Sequence, residues 1–91
     1  MLFVLIGYLK PNSQPIPQDV QLQTTDFVGQ PFIKVHSLGP LRDEAGKRVG
    51  MMMMFEHESR EAAERFARES PYNKAGLLED LRLYEYDDEV G

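Results

Sequence analysis

In two short segments of the chain, both the odd-numbered and the even-numbered residues are apolar. Residues 2–9 read LFVLIGYL, and residues 51–55 read MMMMF. Because successive side chains of a strand point to opposite faces, an unbroken apolar run predicts a strand with both faces covered. In the second run the odd-numbered residues would face one way and the even-numbered residues the other. This run is too short to cross a membrane, since a spanning helix needs about 20 apolar residues.

Two further segments, at residues 32–38 and 81–86, alternate apolar and polar side chains. Alternation of this kind is typical of strands near the edge of a sheet, where one face meets solvent. Residues 39–46, GPLRDEAG, are rich in turn-forming residues. They predict a hairpin that joins the first of these strands to the methionine run.

One helix is clearly marked and a second only weakly. Ser59 is a suitable N-cap for a helix with an apolar stripe. Pro71 ends this helix, and a compact connection follows at residues 72–79. Residues 10–19 carry three prolines and predict a loop. Within residues 18–28 the pattern allows one or two helical turns and leaves their form open.

The predicted order is strand, weak helix, strand, strand, helix, strand, which is that of a ferredoxin-like split βαβ fold of the α+β class. Its central strands are usually the first and third, and here these are the two that are apolar on both faces. Helices cover only one face of such a sheet. On the other face each exposed methionine would forgo roughly 1.5–3 kcal/mol of burial free energy. We therefore expect a homodimer through the open sheet face, which either Met52 or Met53 could line.

Composition argues against several classes of function. The 91 residues fit a single domain, with residues 87–91 expected to fray at its end. The net charge of -5 argues against a nucleic-acid partner, since phosphate binding needs clustered Lys and Arg. Without cysteine and with two separated histidines, we expect no metal site and no cofactor. The apolar start lacks the basic leader and cleavage site of a signal peptide, so we expect a cytoplasmic protein without membrane contact.

Three segments resemble the YciI-like (YCII-related) family. They are a Gly-Pro-Leu turn with a later glycine at residues 39–50, a Ser-x-Glu-Ala helix start at residues 59–63, and a Pro-Tyr segment leading to Ala-Gly at residues 70–77. The resemblance implies a dimeric α/β barrel, and a few relatives act on small aromatic ring compounds. It also implies a catalytic histidine in the first helix with an aspartate partner. Residues 18–28 contain no histidine and Ser70 stands at the aspartate position, so this dyad is missing.

The remaining candidate chemistry is dispersed along the chain. His36 lies where a strand runs into a turn and could act as a displaced general base, although a half-buried edge histidine is the more common outcome. Arg42 and Asp43 could hold an anionic substrate, although charged residues at turns are usually solvated. Tyr72 could wall a pocket or wedge under its turn.

The end of the methionine strand offers two further readings. His57 and Glu58 are consecutive, so their side chains point apart and cannot readily bind one metal ion together. We expect a solvated strand end there. The methionine side chains could form an adaptable ligand-binding surface, but burial in the core of a dimer is the more conservative assignment for them.

Two functions follow from these features. The missing dyad favours a noncatalytic module that binds a small molecule or supports assembly, with His36, Arg42 and Tyr72 as ligand-binding residues. The alternative is a small-molecule enzyme that performs proton transfer or elimination on a ring compound. Its catalytic groups would be His36 with either Asp43 or Tyr72.

Overall fold

The computed structural model describes residues 1–13 and 15–89. Part of the predicted loop at residues 10–19 and the last two residues of the predicted frayed tail therefore lie outside the described residues. Those described form these elements: β1 (Leu2–Leu9), α1 (Gln18–Val28), β2 (Lys34–Arg42), β3 (Arg48–Glu56), α2 (Arg60–Arg68), α3 (Pro71–Lys74) and β4 (Leu78–Glu85). The predicted order of strands and helices is confirmed, and the weakly marked first helix is complete.

The boundaries of two strands differ from the prediction. β2 begins at Lys34 instead of residue 32 and continues through Pro40 to Arg42, so the hairpin turn occupies only residues 43–47. Proline is tolerated there because β2 is an edge strand with hydrogen-bonded pairing on one side. β4 begins at Leu78 instead of Leu81, and α3 occupies the first part of the segment predicted as a connection.

The strands form an antiparallel sheet in the order β2-β3-β1-β4. β1 and β3 are central, as their apolar patterns predicted, which gives the ferredoxin-like α+β arrangement. Gly50 permits the close approach of these two strands, because a Cβ atom there would lie 2.3 Å from the carbonyl oxygen of Gly7. No helix in the described part of the chain is long and apolar enough to span a membrane.

The helices pack on one face of the sheet. Four side chains of the central strands are almost fully buried beneath them: Phe3, Leu5, Met53 and Phe55. α2 begins at the predicted N-cap, where the Ser59 hydroxyl oxygen accepts a hydrogen bond of 3.1 Å from the backbone N–H of Ala62. Its stripe of alanine and phenylalanine belongs to the same core cluster as the buried strand residues, as the spacing predicted.

Tertiary packing explains why the first helix is complete. The ring of Phe27 in α1 stacks on that of Phe66 in α2, with centroids 4.2 Å apart. Val20 is buried in a second cluster together with Tyr72. The Thr24 hydroxyl donates a hydrogen bond of 2.8 Å to the backbone oxygen of Val20, which satisfies a threonine inside a helix. Burial of these apolar residues outweighs the weak helix propensity of the threonines.

The opposite face of the sheet is half-buried to exposed. Strand pairing places Met52 and Met54 on this face with the even-numbered residues of β1. Met53, by contrast, is 1% exposed beneath the helices. Tyr8 and Tyr84 add exposed rings to the open face. The alternation of the methionine run is confirmed, and Met52 is the residue that belongs to the open face.

Candidate functional site

The pairing of β2 with β3 is interrupted near the start of β2. Val35 is opposite Phe55 and Ser37 is opposite Met54, which leaves His36 as an extra residue. Such a bulge re-aims the side chains beside it. This bulge leaves His36 on the open face of the sheet, where it contacts β3.

A second interruption lies beside the hairpin. Leu41 pairs with Gly50 and Arg42 pairs with Arg48, so Val49 is the extra residue. Leu41 and Gly50 share the open face, and the extra residue turns Arg48 to the helix-covered face. In a regular strand Arg48 would lie on the open face, because it is two positions from Gly50.

Arg48 reaches a small cleft between the sheet and the helices. The cleft has a volume of about 220 Å³. Apolar side chains from β2 and β3 form part of its wall, together with polar groups from α1, β3 and α3. The side chains are those of Thr24, Leu38, Pro40, Arg48, Met51 and Tyr72. A largely apolar concavity with a few convergent polar groups is the usual form of a small-molecule site.

Arg48 and Tyr72 form the polar centre of this cleft. The Arg48 Nη2 group donates a hydrogen bond of 2.9 Å to the Tyr72 hydroxyl oxygen, and the guanidinium carbon lies 5.3 Å from the centre of the ring. Tyr72 is 5% exposed and sits at the second residue of α3, directly after Pro71. The helix start and the contact with the Arg48 guanidinium therefore fix the position of the hydroxyl group.

The polar groups of the cleft favour a ligand that accepts hydrogen bonds. The guanidinium of Arg48 is a permanent cation and a donor only. Because the Tyr72 oxygen accepts from Arg48, the hydroxyl keeps its own hydrogen to donate. No carboxylate and no histidine is among the described residues that line the cleft. The arrangement suits an oxygen anion or a carbonyl oxygen on a compact apolar body.

His36 lies away from this cleft and has its own partner. Its Nε2 atom is 2.6 Å from Oε2 of Glu56, and the two side chains are 38% and 45% exposed. The hydrogen bond from His36 holds the pKa of Glu56 below its usual range. Partial burial opposes this effect, while the charges of His36, Lys34 and the N-terminus add to it. The pair places a histidine and a carboxylate together on the open face.

Arg42 and Asp43 stabilise the hairpin. The Asp43 carboxylate accepts hydrogen bonds of 2.9 Å from the backbone N–H groups of Ala45 and Lys47. Arg42 donates a hydrogen bond of 3.0 Å to the backbone oxygen of Gly46, whose φ of +81° suits glycine in the turn. Of the residues that the sequence singled out, the structure brings Tyr72 into the cleft, and it leaves His36, Arg42 and Asp43 at two other places.

The structure places no cluster of functional side chains at His57 or at Ser70 among the described residues. Nδ1 of His57 accepts a hydrogen bond of 2.9 Å from the backbone N–H of Glu58. In the described ranges, no group of three or more His, Cys, Asp or Glu side chains is arranged to hold a metal ion. Ser70, which the sequence resemblance aligned with an aspartate, is buried, and its hydroxyl has no hydrogen-bond partner among the described residues.

Sequence reasoning missed Arg48 and Thr24 as cleft residues. In the sequence Arg48 stands beside Lys47 and near Arg42, and no pattern distinguishes it from these basic residues. The available signal was Gly50, because an isolated glycine inside a strand pattern often marks a bulge or a close backbone approach. The bulge decides which face Arg48 occupies, and its position depends on pairing with β2 that the chain pattern does not encode.

Solved structures with the same architecture support the fold. One is 5-chloro-2-hydroxyhydroquinone dehydrochlorinase (TftG) from Burkholderia phenoliruptrix AC1100 in complex with 2,5-dihydroxybenzoquinone. It is 21% identical, with a TM-score of 0.78, and the match covers 96% of this chain and 94% of that one. At3g17210 from Arabidopsis thaliana is 13% identical, with a TM-score of 0.57 and coverage of 99% and 96%. Rv0793 from Mycobacterium tuberculosis is 14% identical, with a TM-score of 0.55 and coverage of 99% and 97%.

These likenesses define the class of fold. The chain has the ferredoxin-like α+β fold of the dimeric α/β-barrel type, as the strand pattern and the family resemblance predicted. No protein-family model and no curated protein matches the chain.

Proposed function

We propose that this protein is a noncatalytic, homodimeric member of the YciI-like group that binds a small oxygenated ring compound. The observation that carries the proposal is the Arg48–Tyr72 pair, held at 2.9 Å in a cleft with apolar walls. The pair presents a cation and a hydroxyl donor to the same small space. An oxygen atom on a planar ring is the chemistry that this arrangement recognises best.

The dimensions of the cleft support a ligand of one ring. A dry apolar cavity of about 150 Å³ accommodates benzene, and this cleft has about 220 Å³. Met51 supplies a polarisable sulfur that packs well against an aromatic ring. Leu38 and Pro40 add apolar contact area. The bound 2,5-dihydroxybenzoquinone of the dehydrochlorinase is a compound of this class, seen in a protein of the same fold.

The absence of a base supports binding without catalysis. Proton transfer requires a group such as histidine or a carboxylate within hydrogen-bond reach of the substrate. The described lining of the cleft contains neither. The family dyad has no counterpart here, because residues 18–28 lack histidine and Ser70 replaces the aspartate.

A second copy of the chain is the proposed cover for the open sheet face. Met52 and Met54 lie at its centre and Tyr84 is 48% exposed at its side. A stable interface buries about 800 Å² per partner, which a whole sheet face can supply. A cysteine-free chain needs no oxidising compartment, so we assign the dimer to the cytoplasm.

Calorimetric titration with 2,5-dihydroxybenzoquinone tests the proposed site. Tyr72→Phe keeps the ring and removes one donor, so we expect affinity to fall about fivefold. Arg48→Leu removes the cation and should weaken binding by more than about tenfold. Arg42→Leu is the matched control, because that guanidinium serves the hairpin. Equal affinities for the wild type and both cleft variants would contradict the proposal.

A second candidate function rests on the His36–Glu56 pair. A histidine 2.6 Å from a carboxylate has the composition of an acid–base dyad, with Glu56 in the role first considered for Asp43 or Tyr72. A partner copy on the open face would enclose it. Under this alternative the protein would release chloride from 5-chloro-2-hydroxyhydroquinone, and His36→Ala would abolish that release. Under the binding proposal, chloride release by the wild type stays at the level of a protein-free blank.

A further inference from the structure

A second cavity lies next to the cleft and shares Arg48 with it. This cavity has a volume of about 360 Å³. Leu9 and Val49 contribute apolar surface to it, and Lys10, Lys47 and Arg48 contribute cations. Arg48 thus borders the apolar cleft on one side and a basic cavity on the other.

The charge of this cavity is opposite to that of the protein. The chain has 15 acidic and 10 basic residues, with a net charge of -5. Three cationic side chains nevertheless line the cavity, and in the described part of the chain Glu79 is the one carboxylate beside them. Lys10 and Lys47 form no salt bridge with any described residue. Two lysines beside one carboxylate leave an excess of positive charge in a concave site, which favours an anion.

The two lysines stand on backbone segments that are held in place. The backbone N–H of Lys10 donates to the carbonyl oxygen of Leu77 at 2.8 Å, and the Ser13 hydroxyl donates to the Lys10 oxygen at 2.5 Å. On the other side, the backbone N–H of Lys47 donates to the Asp43 carboxylate at 2.9 Å. Neither segment has to be ordered when an anion binds, which lowers the entropic cost of recognition.

The size of the two cavities also argues that they are used together. Ligand pockets usually have volumes of about 300–1,000 Å³. The basic cavity, at about 360 Å³, lies at the lower end of this range, whereas the cleft, at about 220 Å³, falls below it and reaches it only together with the basic cavity. A ligand that spans Arg48 would place its ring against Met51 and Tyr72 and its second group between the lysines.

We infer that the ligand is a single-ring compound with an additional anionic group, a carboxylate or a phosphate, which binds between Lys10 and Lys47. This inference rests on the proposed function and narrows its ligand class. The ring oxygen occupies the Arg48–Tyr72 cleft, and the anionic group occupies the basic cavity. Arg48 is the residue that both parts of the ligand contact.

Titrations of the full chain with matched probes test the inference. Hydroquinone, 4-hydroxybenzoate and 4-hydroxyphenyl phosphate share one ring and differ in the second group. We expect both acids to bind at least about fivefold tighter than hydroquinone, and the stronger of the two identifies the preferred anion. Lys10→Ala and Lys47→Ala should each reduce the preference for the acid over hydroquinone by about threefold. Lys74→Ala is the control, since this exposed lysine on α3 lines neither cavity.

The outcomes separate this inference from the proposed function. Binding of hydroquinone with no gain for either acid overturns the inference and leaves the proposed function standing. A preference for the acids that both lysine variants retain in full also overturns it, because the anion then binds elsewhere. If inorganic phosphate binds as tightly as 4-hydroxyphenyl phosphate, the ring contributes nothing and a ligand spanning the two cavities is excluded. Failure of every ring compound to bind contradicts the proposed function itself.

Discussion

Each face of the sheet carries one polar pair beside a bulge, and the two pairs lie in very different surroundings. Arg48 and Tyr72 meet under the helices, where Tyr72 is 5% exposed and apolar side chains complete a cleft. His36 and Glu56 meet on the open face, where both side chains remain more than a third exposed. The same kind of β-bulge, with one extra residue in the β2–β3 pairing, thus produces an enclosed site on one face and an exposed pair on the other.

The difference shows what a bulge requires to form a binding site. A re-aimed polar side chain needs apolar neighbours that exclude water, since electrostatic interactions are strong only where the surroundings are of low dielectric constant. The helices provide those neighbours for Arg48. For His36 the corresponding cover would have to come from a second copy of the chain. The contrast between a complete cleft and a sheet face that no helix of the described chain covers is the basis of the following predictions.

The largest expected effect is on folding, from Met53→Lys. Met53 of β3 is 1% exposed between the sheet and the helices. An unpaired charge buried there costs several kcal/mol against a total stability of about 5–15 kcal/mol. We expect little soluble protein and no cooperative thermal transition by circular dichroism. A folded variant with an unchanged melting temperature would mean that the helix-covered face is open to solvent.

Gly50→Ala should have the next largest effect. The added methyl group would lie 2.3 Å from the Gly7 carbonyl oxygen, in backbone that cannot yield without separating the central strands. Overpacking of this kind costs about 1–3 kcal/mol, which chemical denaturation measures directly. Gly39→Ala is the matched control on the neighbouring strand, because an added Cβ there meets no atom within 4 Å. Equal stability of the two variants would argue against the close approach of β1 and β3.

Met52→Lys should weaken the dimer and spare the fold. Met52 lies on the open face, so the single chain can hydrate a lysine there, whereas a covered interface cannot. We expect the dissociation constant measured by sedimentation to rise by at least about tenfold, which corresponds to about 1.4 kcal/mol. Circular dichroism should retain the spectrum of the wild type. A dimer of unchanged affinity and melting temperature would place the partner contact elsewhere.

The smallest effect is expected for the exposed pair, through its dependence on pH. A carboxyl whose pKa is lowered by folding stabilises the fold above its unfolded pKa and loses this contribution as the pH falls through the folded value. His36→Ala removes the main cause of the lowered pKa of Glu56. The wild type should therefore have a larger free energy of unfolding than the variant at neutral pH. This difference should disappear as the pH falls below 4.5, the ordinary pKa of the carboxyl group.

Carboxyl titration by NMR provides the direct measurement for this pair. In the His36→Ala variant the titration midpoint of Glu56 should rise towards its ordinary value. Lys74→Ala, on the far α3, should leave the midpoint unchanged. If His36→Ala also leaves it unchanged, the hydrogen bond between His36 and Glu56 does not exist in solution.

The strand pattern predicted most of the architecture. Unbroken apolar runs at residues 2–9 and 51–55 identified the two central strands, because apolar side chains pointing to both faces are typical of strands away from the edges of a sheet. Ser59 located the start of α2, because the capping hydrogen bond is local to the sequence. These features depend on neighbouring residues or on simple periodicity, so the chain pattern encodes them.

The cleft was less predictable because it depends on tertiary register. The bulge at Val49 decides which face Arg48 occupies. This bulge exists only in the pairing of β3 with β2, so the sequence of β3 alone does not reveal it. α1 is complete because Val20 and Phe27 find partners on other elements. Tyr72 was singled out by the resemblance of its Pro-Tyr segment to the family. Hydrophobic periodicity alone does not predict that this side chain lies in a cleft.

The central claim is that the ligand site belongs to one chain and lies under its helices, while the open face serves assembly. Calorimetric titration of 2,5-dihydroxybenzoquinone into the proposed wild-type dimer and into Met52→Lys, at a concentration where sedimentation shows the variant to be a folded monomer, tests this claim most directly. Because Arg48 and Tyr72 come from the same chain, we predict affinities per chain that agree within about twofold. Binding that disappears when the dimer dissociates would contradict the account, since it would locate the ligand on the open face beside His36 and Glu56.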